Sequence, residues 1–207
     1  MLKVALTGGI ATGKSYVRAR VTSRGVPTID ADALVHELLS AGTEATAEVA
    51  RRIGQRILGE GGAVDRRVLA AMVFEDAAVR RDLEAILHPR VYARIEEWAS
   101  DQARAGARWI LADIPLLFET GHERDFDRVI ATVCSPEEQV RRVMVRDGCD
   151  EGAARARLAA QWPAASKAAR ATDVIETGGT VEATEAQVDA ICRKMDEESG
   201  GGPSFSL

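Results

Sequence analysis

Residues 3–16 read KVALTGGIATGKSY. A short apolar run ends in glycine, and the pattern that follows is fixed: Gly8, four residues, Gly13, then Lys14 and Ser15. A glycine in a turn means little by itself. The spacing G-x-x-x-x-G-K-S means more when it lies between a strand-like run and a helix-like run, because that is the setting of a phosphate cradle. Each residue type has a physical reason to be there. Glycine admits backbone angles closed to other residues and lets N–H groups approach phosphate oxygens. A helix opening at Lys14 offers free N–H groups and the positive end of its dipole to an anion. The lysine can reach β- and γ-phosphates, and the serine hydroxyl can ligate Mg²⁺. The loop thus predicts nucleoside triphosphate binding and leaves the reaction open.

Working outward, short apolar runs alternate with helical patterns. Candidate strands are KVALT (3–7), PTID (27–30), RWILAD (108–113), RVIATV (128–133) and DVIE (173–176). Most are near-continuously apolar, as strands buried on both faces are. Helical patterns cover 14–24, 31–40, 44–58, 66–75, 76–87, 89–105, 136–147, 151–161 and 180–197. Such alternation predicts a parallel sheet covered by helices. The long gap between the second and third strands, about residues 31–107, predicts a helical substructure beside the sheet. The final SGGGPSFSL, residues 199–207, has the composition of a disordered tail.

Composition narrows the partners. The 207 residues are 46% apolar and 29% charged, with a net charge of −5, which fits a globular domain and argues against nucleic acid as the main partner. Cys134, Cys149 and Cys192 form no CxxC and read as free thiols of a reducing cytosol. The first apolar run is too short for a signal peptide, and no run approaches membrane-spanning length.

Four uses of a triphosphate compete: a small-molecule kinase, a GTPase switch, an ATPase motor module and a nucleotide sensor. No NKxD base-reading motif follows a later strand, against the GTPase, and a motor usually needs a larger chain. The second strand runs into IDAD, which sets Asp30 and Asp32 at the carboxyl edge of the sheet, where ligands bind in open α/β folds. We expect this strand to neighbour the phosphate loop. A carboxylate there can orient an acceptor hydroxyl toward a γ-phosphate. Asp30 can equally cap the next helix, and Asp32 can equally be a first-turn carboxylate favoured by its dipole.

At this point the chain resembles a known family. ALTGGIATGKS, TIDAD, VDRRVL, ILHPRV, DIPLLFE and the Q..R...RD of residues 139–147 occur in the order found in dephospho-CoA kinases, over roughly residues 2–195. The resemblance implies ATP-dependent phosphorylation of the ribose 3′-hydroxyl of dephospho-CoA, the last step of coenzyme A synthesis; another P-loop kinase acting on a nucleoside or nucleotide is the alternative. It implies an α/β P-loop NTPase three-layer fold, a five-stranded parallel sheet with helices on both faces. The single domain would span 1–198, with the acceptor-binding helical insertion at about 31–107 and a helical lid at about 136–165.

The resemblance also implies roles. Gly8, Gly9, Ile10, Ala11, Thr12, Gly13, Lys14, Ser15 and Tyr16 would cradle ATP. Asp32 would be the base toward the acceptor, with His88, Pro89, Leu116 and Leu117 near it. Arg142 and Arg146 would be lid arginines, Arg142 stabilising charge on the transferred phosphoryl. Ser15 and Asp113 would hold Mg²⁺. The implied partners are ATP and dephospho-CoA, in a cytoplasmic monomer or weak homo-oligomer without nucleic acid or membrane contacts. Some positions depart from the family pattern: Tyr16 for threonine, Ala11 for glycine, His36 for arginine, and the ending ATDVIETGG.

Overall fold

A computed structural model describes residues 1–200 of the chain, which form two compact units. One comprises Met1–Ile29 and the chain from Ala99 onward; the other is Asp30–Trp98.

The first unit is built on strands β1 (Leu2–Gly8), β2 (Thr28–Asp30), β3 (Trp109–Asp113), β4 (Arg128–Val133) and β5 (Asp173–Glu176), in spatial order β2-β3-β1-β4-β5. The sheet is all-parallel with helices on both sides. Every residue of β3 is buried, which is why its sequence shows no alternation. On one face Val4, Leu6, Leu111, Ile130 and Ile175 pack against α1 (Lys14–Ser23) through Val17 and Val21, and against α9 (Val181–Glu198) through Val188, Cys192 and Met195. Each such side chain contributes about 1.5–3 kcal/mol of transfer free energy. A second cluster joins α6 (Pro136–Asp147) to α7 (Glu151–Ala159) through Val140, Val143 and Ala154, with Ile10 and Ala11 packed on it. The short α8 (Ala164–Ala168) packs on β1 and β4. One expectation needs correction. β2 is an edge strand, and β3 stands between it and β1, so IDAD does not follow a strand adjacent to the phosphate loop.

The second unit contains α2 (Ala31–Leu38), α3 (Glu44–Ile53), a 3₁₀ turn at Gln55–Ile57, α4 (Arg66–Glu75) and most of α5 (Ala77–Arg104). Leu39, Val49, Ile57, Leu69, Ile86 and Leu87 are among its buried core. Polar side chains start its helices: Asp30, Thr43 and Asp65 accept hydrogen bonds from first-turn N–H groups of α2, α3 and α4. The helix expected over 44–58 breaks at Gly54, whose φ of 124° lies outside helical space.

The separate helices expected over 76–87 and 89–105 are one continuous helix with Pro89 inside it. Proline removes an intrahelical hydrogen bond and crowds the preceding turn. Two features offset that cost. The buried or half-buried Leu83, Leu87, Val91 and Ile95 recur every four residues across the proline, so the apolar stripe stays in phase. Arg90 Nη1 also donates to the Ile86 carbonyl at 2.7 Å. Of the tail expected over 199–207, Ser199 and Gly200 close the turn after α9, and the remainder lies outside the described residues.

Candidate functional site: a tethered phosphate loop

The parallel register sets Gly8 beside Thr132 and Leu6 beside Asp113. The carboxyl ends of β1, β3 and β4 therefore converge on the loop from Gly9 to Gly13. Gly8 has no room for a side chain: a Cβ there would lie 2.3 Å from Thr132 Oγ1 and 2.6 Å from Thr12 Oγ1. Gly13 has φ 81° and turns the chain into α1.

Four successive carbonyls of this loop are tied down. Thr12 Oγ1 donates to Gly9 O at 2.8 Å, Gln139 Nε2 to Ile10 O at 2.6 Å, Arg142 Nη1 to Ala11 O at 3.3 Å, and Thr177 Oγ1 to Thr12 O at 2.9 Å. Thr12 and Thr132 hydroxyls also share a hydrogen bond of 2.7 Å. These donors hold electronegative oxygen in fixed directions, so the loop need not reorganise when an anion arrives. The start of α1 completes the seat. Helices of eight or more residues usually recruit a capping side chain here, as α2 to α7 and α9 do. Alone among the described helices of that length, α1 has none, so its first N–H groups are left for a ligand.

Ala11 is the one non-glycine among the described residues with a positive φ, at 58°. This left-handed conformation costs an L-residue about 1–2 kcal/mol. Ala11→Gly is therefore expected to leave the unliganded protein as stable or up to about 1 kcal/mol more stable, whereas a typical Ala→Gly change in regular structure costs about 0.5–1 kcal/mol. Urea unfolding midpoints of the two proteins check this; a clear loss of stability would show that the Ala11 methyl packing outweighs the strain.

Lys14, Ser15 and Tyr16 line a cavity of about 450 Å³ with Arg142, Arg146, Thr177 and the Gly179–Val181 turn. Lys14 is half-buried, and Ser15 and Tyr16 are exposed. Arg142 and Arg146 both face this cavity but differ in their bonds. Arg142 bridges elements: Nη2 donates to Thr177 O at 2.7 Å and Nε to Glu138 Oε1 at 2.7 Å. Arg146 pairs with Asp147 at 2.7 Å. The hydrogen bond from Arg141, reinforced by Arg142, lowers the Glu138 carboxyl to about 2. A depressed carboxyl keeps its charge, and this clamp, at any pH well above that value, and loses it only as pH falls toward 2.

Asp113 ends β3 with 4% exposure, and Arg18 Nε lies 3.4 Å from its carboxylate. In the segment that follows, Leu117 is fully buried and Leu116 is 37% exposed, so of these two leucines Leu116 is the one that faces solvent. In the second unit Asp30 accepts from the N–H of Asp32 at 2.9 Å, and Asp32 is exposed on the first turn of α2. His36 is exposed one turn later, and His88 and Pro89 lie mid-helix in α5. Sequence reasoning gave no role to Thr132, Gln139, Thr177 or Lys167. Two had left a signal: Gln139 opens Q..R...RD, and Thr177 lies in the divergent ATDVIETGG.

Known proteins match this geometry. A family model described as dephospho-CoA kinase matches residues 2–183. The chain belongs to the dephospho-CoA kinase family. It is similar to the dephospho-CoA kinase of Anaeromyxobacter dehalogenans, 44% identical over 191 residues, covering 92% of this chain and 90% of the relative. Among solved structures it is similar to a Thermus thermophilus protein at 36% identity and a TM-score of 0.78, covering 93% of this chain and 97% of that one. The dephospho-CoA kinase of Campylobacter jejuni, 24% identical, shares the fold at a TM-score of 0.69 over 95% of this chain and 98% of its own. Membership of this kinase family makes ATP the expected phosphoryl donor of the loop.

Proposed function

We propose that this protein transfers the γ-phosphate of ATP to the ribose 3′-hydroxyl of dephospho-CoA, the last step of coenzyme A synthesis. The observation that carries the reading is the tethered loop at an uncapped helix start, within a chain matched to the family from residue 2 to residue 183. Phosphoryl transfer passes through a loose transition state, so catalysis is mainly positioning and charge stabilisation. Lys14 holds the β- and γ-phosphates over the loop, with Gly8 to Tyr16 supplying the cradle. Arg142 fixes Ala11 and the Thr177 turn around it, and Arg146 is the second arginine of the same cavity. Asp32 orients the acceptor hydroxyl and takes its proton late. His88, Pro89 and Leu116 serve the acceptor, and Leu117 anchors its segment from the core.

Mg²⁺ fits the oxygen donors at the sheet edge: an exposed hydroxyl on Ser15 and the Asp113 carboxylate at the end of β3. A hard cation of this kind uses one or two protein oxygens together with phosphates and water. When bound, it neutralises charge on the β- and γ-phosphate oxygens. The stretch 136–165 is proposed as the lid that excludes water, within one kinase domain over 1–198 that works in the cytoplasm as a monomer or weak homo-oligomer.

ADP release with dephospho-CoA, adenosine and nucleoside monophosphates as acceptors tests the reading. Dephospho-CoA should exceed the others in kcat/KM by at least about tenfold, because binding of its remote parts is spent at the reacting centre. Faster turnover of a nucleoside or a nucleoside monophosphate would overturn it.

A further inference from the structure

The mechanism above makes no use of one buried cation. Lys167, on α8, has no exposed surface. Its ammonium donates to the Pro115 carbonyl at 2.7 Å and pairs with Glu119 Oε1 at 2.8 Å. Both acceptors lie on the segment after β3 that carries Leu116. The same Glu119 oxygen accepts the Trp162 backbone N–H at 3.2 Å, and Pro115 O also accepts from Thr7 Oγ1 at 3.1 Å. Thr7 immediately precedes Gly8. The first residue of α8 meets the phosphate loop, where a Cβ on Gly9 would lie 3.3 Å from Ala164. One short helix thus abuts the loop at Ala164 and grips the Pro115–Glu119 segment at Lys167.

We propose that Lys167 is a positioning residue for phosphoryl transfer, its ammonium holding the Pro115–Glu119 segment in register with the phosphate loop. The inference rests on the function proposed above. Packing alone does not call for a lysine here, since a buried ion pair is often replaceable by apolar side chains at no loss of stability. Burial lowers the Lys167 pKa, the Glu119 carboxylate opposes that shift, and nearby Lys14 adds to it. The carbonyl tethers of the loop come from Thr12, Gln139, Arg142 and Thr177, none of which is bonded to Lys167. Losing Lys167 should therefore spare the ATP seat and misplace the segment beside it, and an error of about 1 Å in a reacting site can cost about 10²-fold in rate.

Lys167→Met and Glu119→Gln, singly and together, test this. Lys167→Met should lower kcat by about 10- to 100-fold, with ATP-analogue affinity within about threefold of wild type. Amide exchange should rise across 114–120 and stay unchanged across 8–17. The double variant should be no more than about twofold worse than Lys167→Met, since the two side chains act as one unit. Retention of more than half of kcat, or parallel loss of kcat and analogue binding, would overturn the proposal. If Lys167→Met does not fold, Glu119→Gln decides alone: full kcat in that variant refutes the positioning role, and loss of kcat with intact analogue binding supports it. The functional reading fails separately, if wild type does not release ADP with dephospho-CoA. The exchange result needs no turnover.

Discussion

Replacing Lys14 with alanine is expected to lower turnover by at least about two orders of magnitude, the scale of losing one strong electrostatic stabiliser. The structure sharpens the reason. Lys14 is the first residue of α1, the helix whose start no side chain caps, so its ammonium adds a full charge to a partial positive charge already aimed at the same anion. The surrounding cavity excludes part of the water, which strengthens the attraction. Folding should survive the change. The α1 residues buried against the sheet are Val17 and Val21, whereas Lys14 is only half-buried and lines the cavity. Steady-state kinetics with ATP and dephospho-CoA, together with a urea unfolding curve, separate the two effects. Near-normal turnover would remove the phosphate role from this loop, and lost turnover with lost stability would make Lys14 a folding residue.

The contrast between what the sequence made legible and what it hid has physical causes. The three central strands were legible because a parallel strand buried on both faces is almost purely apolar, as WILAD of β3 is. The phosphate loop was legible because its residues stand within one short stretch, Gly8 to Ser15, at a fixed spacing, with Gly13 set by its own φ. Its tethers were not, because Gln139 and Thr177 arrive from more than 120 positions along the chain. Lys167 within AASKAAR belongs to no motif, and only the fold shows it sealed against Pro115 and Glu119. At Pro89 a local rule misled: proline predicts a boundary, but the in-phase apolar stripe won. The position of β2 was hidden as well, since nothing in the sequence before residue 108 announces that β3 inserts between β2 and β1.

Asp32→Asn is expected to lower turnover by roughly 10²–10⁴, the usual range for a general base, while ATP-analogue affinity stays within a few-fold. Asparagine keeps the size of the side chain and loses its charge and its capacity to take a proton. The argument depends on dividing IDAD into two duties. Asp30 caps α2, accepting from the N–H groups of Asp32 and Ala33 at 2.9 and 3.4 Å. Asparagine caps about as well as aspartate, so Asp30→Asn should cost little of either stability or rate, while Asp30→Ala should cost about 1 kcal/mol of stability. Asp32 has no such capping duty; it sits exposed on the first turn, with His36 one turn further on. A large rate loss with unchanged stability would mark it as acting on the acceptor. The kinetic comparison of both Asp→Asn variants, with direct analogue binding, distinguishes the outcomes. Turnover above about a tenth of wild type would remove Asp32 as base by the same magnitude argument. Collapse of analogue binding would instead assign Asp32 to the nucleotide or its metal, because loss of an acceptor-side base leaves the ground-state ATP complex untouched.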